Sequence, residues 1–450
     1  MVKKNIEVLI IMMAFTLVTS GQSYQDQIFT DYFKMDGTGW NAADGTISLG
    51  LPDGRTLWMF GDSHVDQMVD SNNELPCLFN ARNSLMVQDL NNNFTTLYDA
   101  AGIDVFTRQF IKVDGQSEVT YWPAGAFVQG NIAYLFWNRY DKNSSAPLGI
   151  EFKGMVIAEI SLPDVQLVKI TPLNNTELAY GMAVVTNESE GYHYIYGRKE
   201  DEIFTQPVVA RCPVGSIYGT WEFYEGNDIW GDNADNHLPI ADVVSTEYSI
   251  FSNNGKYYLL SQQLGFLQCG EGRDIYIYES QNPQGPFENP VVVYTIEDQF
   301  SGEYPKTYNA QAHPQFIVND ELLISYNVNK TCPGPCAEMP ITSRYNADMY
   351  RPKFARVPFS MFATSTVTSI SENDDLDIFP NPTDHTLYLK SSNSAMVNYE
   401  YQILTTFGRE SQVGITDADG SIKLHNLTSG IYFLKLNIGQ RSITRKIVKL

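Results

Sequence analysis

Apolar and polar positions alternate in short runs along this chain, and the turns between the runs recur. The first clear case is 40–62, WNAADGTISLGLPDGRTLWMFGD, where the β-type runs 46–49 and 55–60 flank Pro52-Asp53-Gly54. Proline presets φ and glycine accepts positive φ, so the tripeptide predicts a tight hairpin. The same pattern returns at 126–138, 182–196, 248–262 and 314–327: an apolar strand, a turn rich in Asn, Gly, Asp or Glu, then an aromatic and aliphatic strand. Aligned second strands superpose Phe60, Phe136, Tyr196, Leu260 and Tyr326, at spacings of 76, 60, 64 and 66 residues. A repeat of about 65 residues, seen five times, predicts a radial array. A second strand pair follows each hairpin at 84–98, 154–170, 207–224 and 274–294, with 351–359 standing for the fifth copy. Four strands per unit make the blade of a β-propeller.

No stretch of 22–371 carries a helical period beyond one or two turns. The expected fold is therefore all-β, a five-bladed β-propeller over 22–359. A linker rich in Ser, Thr and acids follows at 360–375, and then a small Ig-like β-sandwich at 376–450. Most aromatics of the hairpins are expected to pack between blades, since pleated, half-buried surfaces favour them.

At 450 residues and 43% hydrophobic content, the chain exceeds one ordinary domain and can bury a sizeable core. Residues 1–21 open with Lys3 and Lys4, continue as an eleven-residue apolar run from Val8 to Val18, and close on Thr19, Ser20 and Gly21. That is the make-up of a signal peptide. The run is too short for a transmembrane span, and no other stretch reaches the roughly 20 apolar residues one needs.

Net charge is −22, unevenly spread: residues 22–371 hold 20 basic and 42 acidic side chains, residues 372–450 hold 8 and 9. Such a surface repels phosphate backbones and anionic membranes, which argues against nucleic acid and favours neutral polymers or cations. Calcium would suit the acid surplus, although no D-x-D-x-D-G loop is present and no motif requires a cofactor. Five cysteines leave at least one thiol unpaired, while Cys332-Pro-Gly-Pro-Cys336 could close a small disulfide loop.

Candidate chemistry starts in the opening hairpin. If Gly50 pairs with Arg55, counting back brings Asp44 opposite Gly61 or Asp62, with facing Cβ atoms about 5 Å apart. A close carboxylate pair repels itself unless one member holds a proton or a cation lies near, so it marks a catalytic device or a cation site. Asp62 capping a turn is the plain alternative. Arg82, twenty residues on, could neutralise the pair. Counting back from the other turns reaches Trp122-Pro123, Gly181, Glu247 and His313, which would ring one mouth of the central channel with Asp44. Trp40 or Trp122 would stack on an apolar sugar face, or else fill a blade seam. His313 reads as a cation ligand, a sugar-hydroxyl partner or a core histidine. Gly61-Asp62-Ser63-His64 lacks the G-x-S-x-G elbow of a serine hydrolase.

Two resemblances extend this reading. Asp377-Ile-Phe-Pro-Asn-Pro-Thr383, Leu427-Thr-Ser-Gly-Ile-Tyr-Phe-Leu434 and Arg445-Lys-Ile-Val-Lys-Leu450 resemble the type A C-terminal sorting domain of the type IX (Por) secretion system of Bacteroidetes. The resemblance implies secretion machinery as a partner and the cell surface or exterior as destination. Ala42-Ala43-Asp44-Gly45 with 52–62, then Asn83-Ser84-Leu85, Glu247-Tyr248-Ser249 and Asn309-Ala310-Gln311-Ala312-His313-Pro314, resemble secreted propeller families. Those families are similar to endo-D-arabinanases and, more distantly, to the arabinanase, xylosidase and invertase class. Ala42 stands where glycine is commoner.

The second resemblance implies a glycoside hydrolase acting on a neutral polysaccharide or oligosaccharide, arabinofuranose-containing chains among the candidates. Asp44 would be nucleophile or general base and Glu247 the general acid, with Asp62 holding the Asp44 pKa or orienting a sugar hydroxyl. Such cleavage needs one protonated and one ionised carboxyl group, roughly 5–5.5 Å apart for retention or 6.5–9.5 Å for inversion. Fold does not decide function, so a non-catalytic glycan-binding or surface-scaffold propeller is the alternative.

Overall fold

The computed structural model describes residues 21–450 apart from 114, 117, 146–148, 174–177, 202–203, 243, 264–270, 330–342, 364–375, 392–393, 396–397, 406–409, 425–426 and 439–440. The expected signal peptide (to residue 20), the 332–336 cysteine loop and most of the 360–375 linker lie outside the described residues. Cys77 is disulfide-bonded, and Cys212 is a buried free thiol.

The described chain is all-β, with one short α-helix at Gln27–Tyr32. Five antiparallel sheets follow one another. The first holds Ile47–Gly50, Thr56–Phe60, Ser84–Gln88 and Phe94–Leu97; the second holds Val119–Gln129, Ile132–Lys142, Ile150–Ser161 and Gln166–Leu173. The third begins at Ala179–Asn187 and carries a fifth strand, Ile229–Gly231; the fourth runs from Ser249–Asn253 to Glu288–Thr295. The last sheet joins Lys306–Val318, Glu321–Asn329 and Lys353–Pro358, and is completed by Tyr24–Gln25 from the other end of the chain. The first strand of each sheet packs on the first strand of the next, and Lys306–Val318 packs back on Ile47–Gly50. The cycle is closed.

The repeat positions Phe60, Phe136, Tyr196, Leu260 and Tyr326 are all 0% exposed. They fill the seams, as the aromatic pattern predicted, and burial of each stabilises the fold by roughly 1.5–3 kcal/mol. In the opening hairpin Gly50 pairs with Thr56, one residue beyond the expected Arg55, because the Leu51 N–H bonds the Arg55 carbonyl to close the turn. The same register runs on through Ile47 with Met59 to Ala43 with Ser63, which sets Asp44 opposite Asp62.

Residues 376–450 form two further sheets. One holds Leu376–Phe379, Thr386–Ser391, Ser394–Ala395 and Ser421–Lys423, the other Glu410–Ile415, Glu400–Thr405, Gly430–Ile438 and Arg441–Lys449. Leu387, Leu389 and Ile422 from the first share one core with Ile403, Leu434 and Leu436 from the second.

Candidate active site

Around the first strands opens a cavity of about 580 Å³ whose walls include Asp44, Asp62, Arg82, Trp122 and Glu247. Glycines shape the wall that carries the aspartates. Gly45 takes a φ of +92°, reserved in practice for glycine, and a Cβ on Gly61 would stand 2.6 Å from Asp44 Oδ1. The backbone thus approaches the acid as closely as it can.

Asp44 Oδ2 accepts hydrogen bonds from the Tyr308 hydroxyl at 3.0 Å and the Tyr350 hydroxyl at 3.1 Å. Burial and the nearby charge raise both phenols well above their ordinary range, so they stay protonated and donate. Asp62 has longer partners: Arg82 Nη1 at 3.3 and 3.4 Å, and Trp122 Nε1 at 3.5 Å. Burial pushes the Asp44 carboxyl up to about 6, against the pull of its tyrosines. Burial again pushes the Asp62 carboxyl up to about 7, against the pull of the Arg82 guanidinium and with the charge of Asp44 adding to the rise. A facing pair of this kind titrates as a unit and keeps a proton near neutral pH.

Glu247 reaches the same cavity from the start of the fourth sheet and ion-pairs with Arg198 at 3.1 Å. That guanidinium is only 5% exposed and also donates to the Thr246 carbonyl at 2.8 Å and the Tyr140 hydroxyl at 3.3 Å. It is the natural partner of a carboxylate anion.

Two expected site residues lie elsewhere. Trp40 is 1% exposed and packs on Phe33 and Phe60, with ring centroids 5.7 and 5.1 Å away, so it belongs to the core and not to a sugar-stacking wall. His313 is fully buried, with Nδ1 2.6 Å from Ser48 Oγ and Nε2 2.8 Å from Ser325 Oγ. It is the core histidine, not a cation ligand or a sugar partner.

The cause is register. Between His313 and Val318 the fifth inner strand holds three more residues than its partner, and between Tyr308 and Gln311 one more. These bulges move the mouth position to Asn309, which does line the cavity. Gly181 is also displaced from the mouth: a Cβ there would stand 2.2 Å from the Phe136 ring.

Tyr308, Tyr350 and Arg198 are the residues that sequence reasoning missed. Tyr308 directly precedes the 309–314 motif, a usable signal; Tyr350 and Arg198 had none. Among the described residues, no group of three or more His, Cys, Asp or Glu is arranged to hold a metal ion.

Residues 26–406 match the family described as "Domain of unknown function (DUF5005)". The chain belongs to this family. Residues 377–450 match the "Secretion system C-terminal sorting domain", which overlaps the end of the DUF5005 match. The sorting domain directs this DUF5005 chain through type IX secretion to the cell surface or the extracellular space. Among the described residues no helix is long and apolar enough to cross a membrane.

No curated protein matches the sequence. Among solved structures, a Bacteroides ovatus protein provisionally designated a hydrolase is similar at 24% identity and a TM-score of 0.63, over 79% of this chain and 96% of that one. That likeness extends to the fold. Weaker likenesses are the GH43_1 enzyme from Xanthomonas citri complexed with xylose (14% identity, TM-score 0.39, 76% and 98% of the two chains) and Trypanosoma rangeli sialidase (8%, 0.42, 94% and 89%).

Proposed function

We propose that this DUF5005 protein is a glycosidase: the cavity binds a neutral polysaccharide or oligosaccharide, arabinofuranose-containing chains among the candidates, and cleaves a glycosidic bond. The scaffold is a five-bladed β-propeller, a reading supported by five successive sheets whose first strands meet in a closed cycle. Two sheets over one core likewise support an Ig-like sandwich for residues 376–450.

The observation that carries the proposal is one cavity lined by three carboxyl groups in two opposed electrostatic settings. The Asp44–Asp62 pair retains a proton because burial and mutual repulsion disfavour a double anion, while Glu247 meets a guanidinium suited to an anion. Glycoside cleavage needs one protonated and one ionised carboxyl group flanking the scissile bond. Within the pair, the two tyrosine donors favour an ionised Asp44, so the proton resides on Asp62. Asp44 then serves as nucleophile or base, and Asp62, in place of Glu247, holds the proton destined for the leaving oxygen. Trp122 offers a ring face to an apolar sugar surface, and Arg82 steadies Asp62.

One observation favours the non-catalytic glycan-binding alternative: Glu247, the general acid implied by the resemblance, is ion-paired with Arg198, a partner that favours the anion over the proton donor. The two readings separate in one assay. The mature protein is incubated with arabinan, arabinogalactan and other plant and bacterial glycans, and new reducing ends are followed for wild type, Asp44→Asn and Asp62→Asn. Release by wild type that falls about a hundredfold or more in both variants supports the enzyme. Retention on a glycan without release supports the binder.

A further inference from the structure

Beside the candidate active site lies a second cavity of about 770 Å³, and Phe79 lines both. Its wall includes the connection from the first sheet to the second, with Ile103, Phe106, Arg108 and Gln116, together with Met68 and Asn80. The connection is tied down by its own hydrogen bonds. Asp104 Oδ1 accepts from the Phe106 N–H at 3.0 Å, the Thr107 N–H at 2.8 Å and the Thr107 hydroxyl at 2.9 Å. Arg108 Nη1 ion-pairs with Asp66 at 3.4 Å, anchoring it beside the opening hairpin.

Phe106 is thereby held with its ring centre 5.4 Å from the Arg82 guanidinium, which also lies 4.7 Å over the Phe79 ring. The guanidinium that contacts Asp62 therefore sits on the aromatic boundary between the two cavities. Ile103 is 93% exposed. Apolar faces interleaved with amide, hydroxyl and charged groups suit a sugar ring, which presents C–H faces and a rim of hydroxyls.

We propose that this second cavity is a subsite for the further rings of an oligomeric or polymeric glycan whose reacting ring lies at Asp44 and Asp62. The proposal rests on the glycan reading of the first cavity and specifies its substrate class: a chain of sugars, not a monosaccharide glycoside. Adjacency across the shared Phe79 makes one occupant of both cavities the economical choice, and the acidic balance of residues 22–371 favours an uncharged one.

The test measures kcat/KM on arabino- and xylo-oligosaccharides graded from disaccharide to hexasaccharide, for wild type, Ile103→Asp and Phe106→Ala. Wild type should gain kcat/KM with chain length. In both variants the ratio of hexasaccharide to disaccharide kcat/KM should fall about three- to tenfold, mainly through KM, the loss expected for one ring contact. Ile103, almost wholly exposed, can be changed without threatening the fold. A wild type that cleaves without length dependence, or Ile103→Asp and Phe106→Ala variants that keep the wild-type ratio, would overturn the subsite and leave the first cavity's reading intact. A wild type that neither retains nor cleaves any of these oligomers would overturn both.

Discussion

Asp44 and Asp62 face each other across the opening hairpin, in the register that pairs Gly50 with Thr56 and Ala43 with Ser63. Neither acid can ionise freely there. Two tyrosine hydroxyls converge on Asp44, while Asp62 ion-pairs with Arg82 at 3.3 Å and takes a longer contact from Trp122. This unequal support distinguishes two side chains that are chemically alike.

The pair should make stability depend on pH. Below the ordinary carboxylate pKa of 3.8 the folded and unfolded chains both hold the protons. As pH rises, the unfolded chain releases them first, because the folded pair titrates at about 6 and about 7. The folded state then binds more protons, so the contribution of the pair falls from about pH 4 to about pH 7 and is level above that. Asp62→Asn should therefore be more stable than wild type at pH 8, by roughly 1–3 kcal/mol, with the advantage gone at pH 4. Urea unfolding at pH 4, 6 and 8 checks the sign.

Gly61→Ala tests the geometry of the pair. Its Cβ would stand 2.6 Å from Asp44 Oδ1, so the carboxylate must turn away from its tyrosines or the strand must shift. Loss of glycan cleavage by about a hundredfold is expected, with a stability cost of roughly 1–3 kcal/mol. Activity near wild type would show that Asp44 need not hold this position.

His313→Ala should behave as a core mutation. Burial pushes the imidazole down to about 3, so it is neutral in the folded protein at any ordinary pH. Losing it leaves a cavity and strands Ser48 and Ser325, at a cost of roughly 2–4 kcal/mol. Because the unfolded chain protonates this histidine below about pH 6.5 and the folded chain does not, wild type also loses stability from it as pH falls from about 6.5 towards 3. That acid-side loss should vanish in the variant, while glycan binding in native conditions is retained.

Arg198→Met removes the guanidinium facing Glu247 and leaves a carboxyl group that holds its proton more readily. If Glu247 acts as an anion during turnover, the acidic limb of the pH–rate profile should move to higher pH by about one unit or more. An unmoved limb would assign that limb to the aspartate pair alone.

Deleting 377–450 removes the sorting domain and should abolish delivery to the cell surface or medium, with the chain retained inside the outer membrane. Cell fractionation followed by immunoblotting gives the answer.

Much of the site could be read from neighbours in the chain. Asp44 and Asp62 came together in the count because a tight turn and an unshifted register leave little freedom over seventeen intervening positions. Trp122 and Glu247 followed from the same count on other hairpins, and both line the cavity. His313 failed because bulges in Lys306–Val318 are invisible to a count that assumes a regular ladder. Trp40 failed because a tryptophan beside a mouth looks the same in sequence whether it points to solvent or into Phe33 and Phe60.

From the amino-acid order alone came the all-β character, the five-fold recurrence, the facing aspartates and the address at the C-terminal end, since turn chemistry, alternation and linear motifs are properties of residues close together in the chain. Only the tertiary structure decided that Tyr308 and Tyr350 donate to Asp44, that Arg198 pairs with Glu247, and that a second cavity shares the Phe79 wall with the first. Those partners lie dozens to hundreds of residues apart, and whether they meet depends on ring closure, bulges and burial, which no local pattern records.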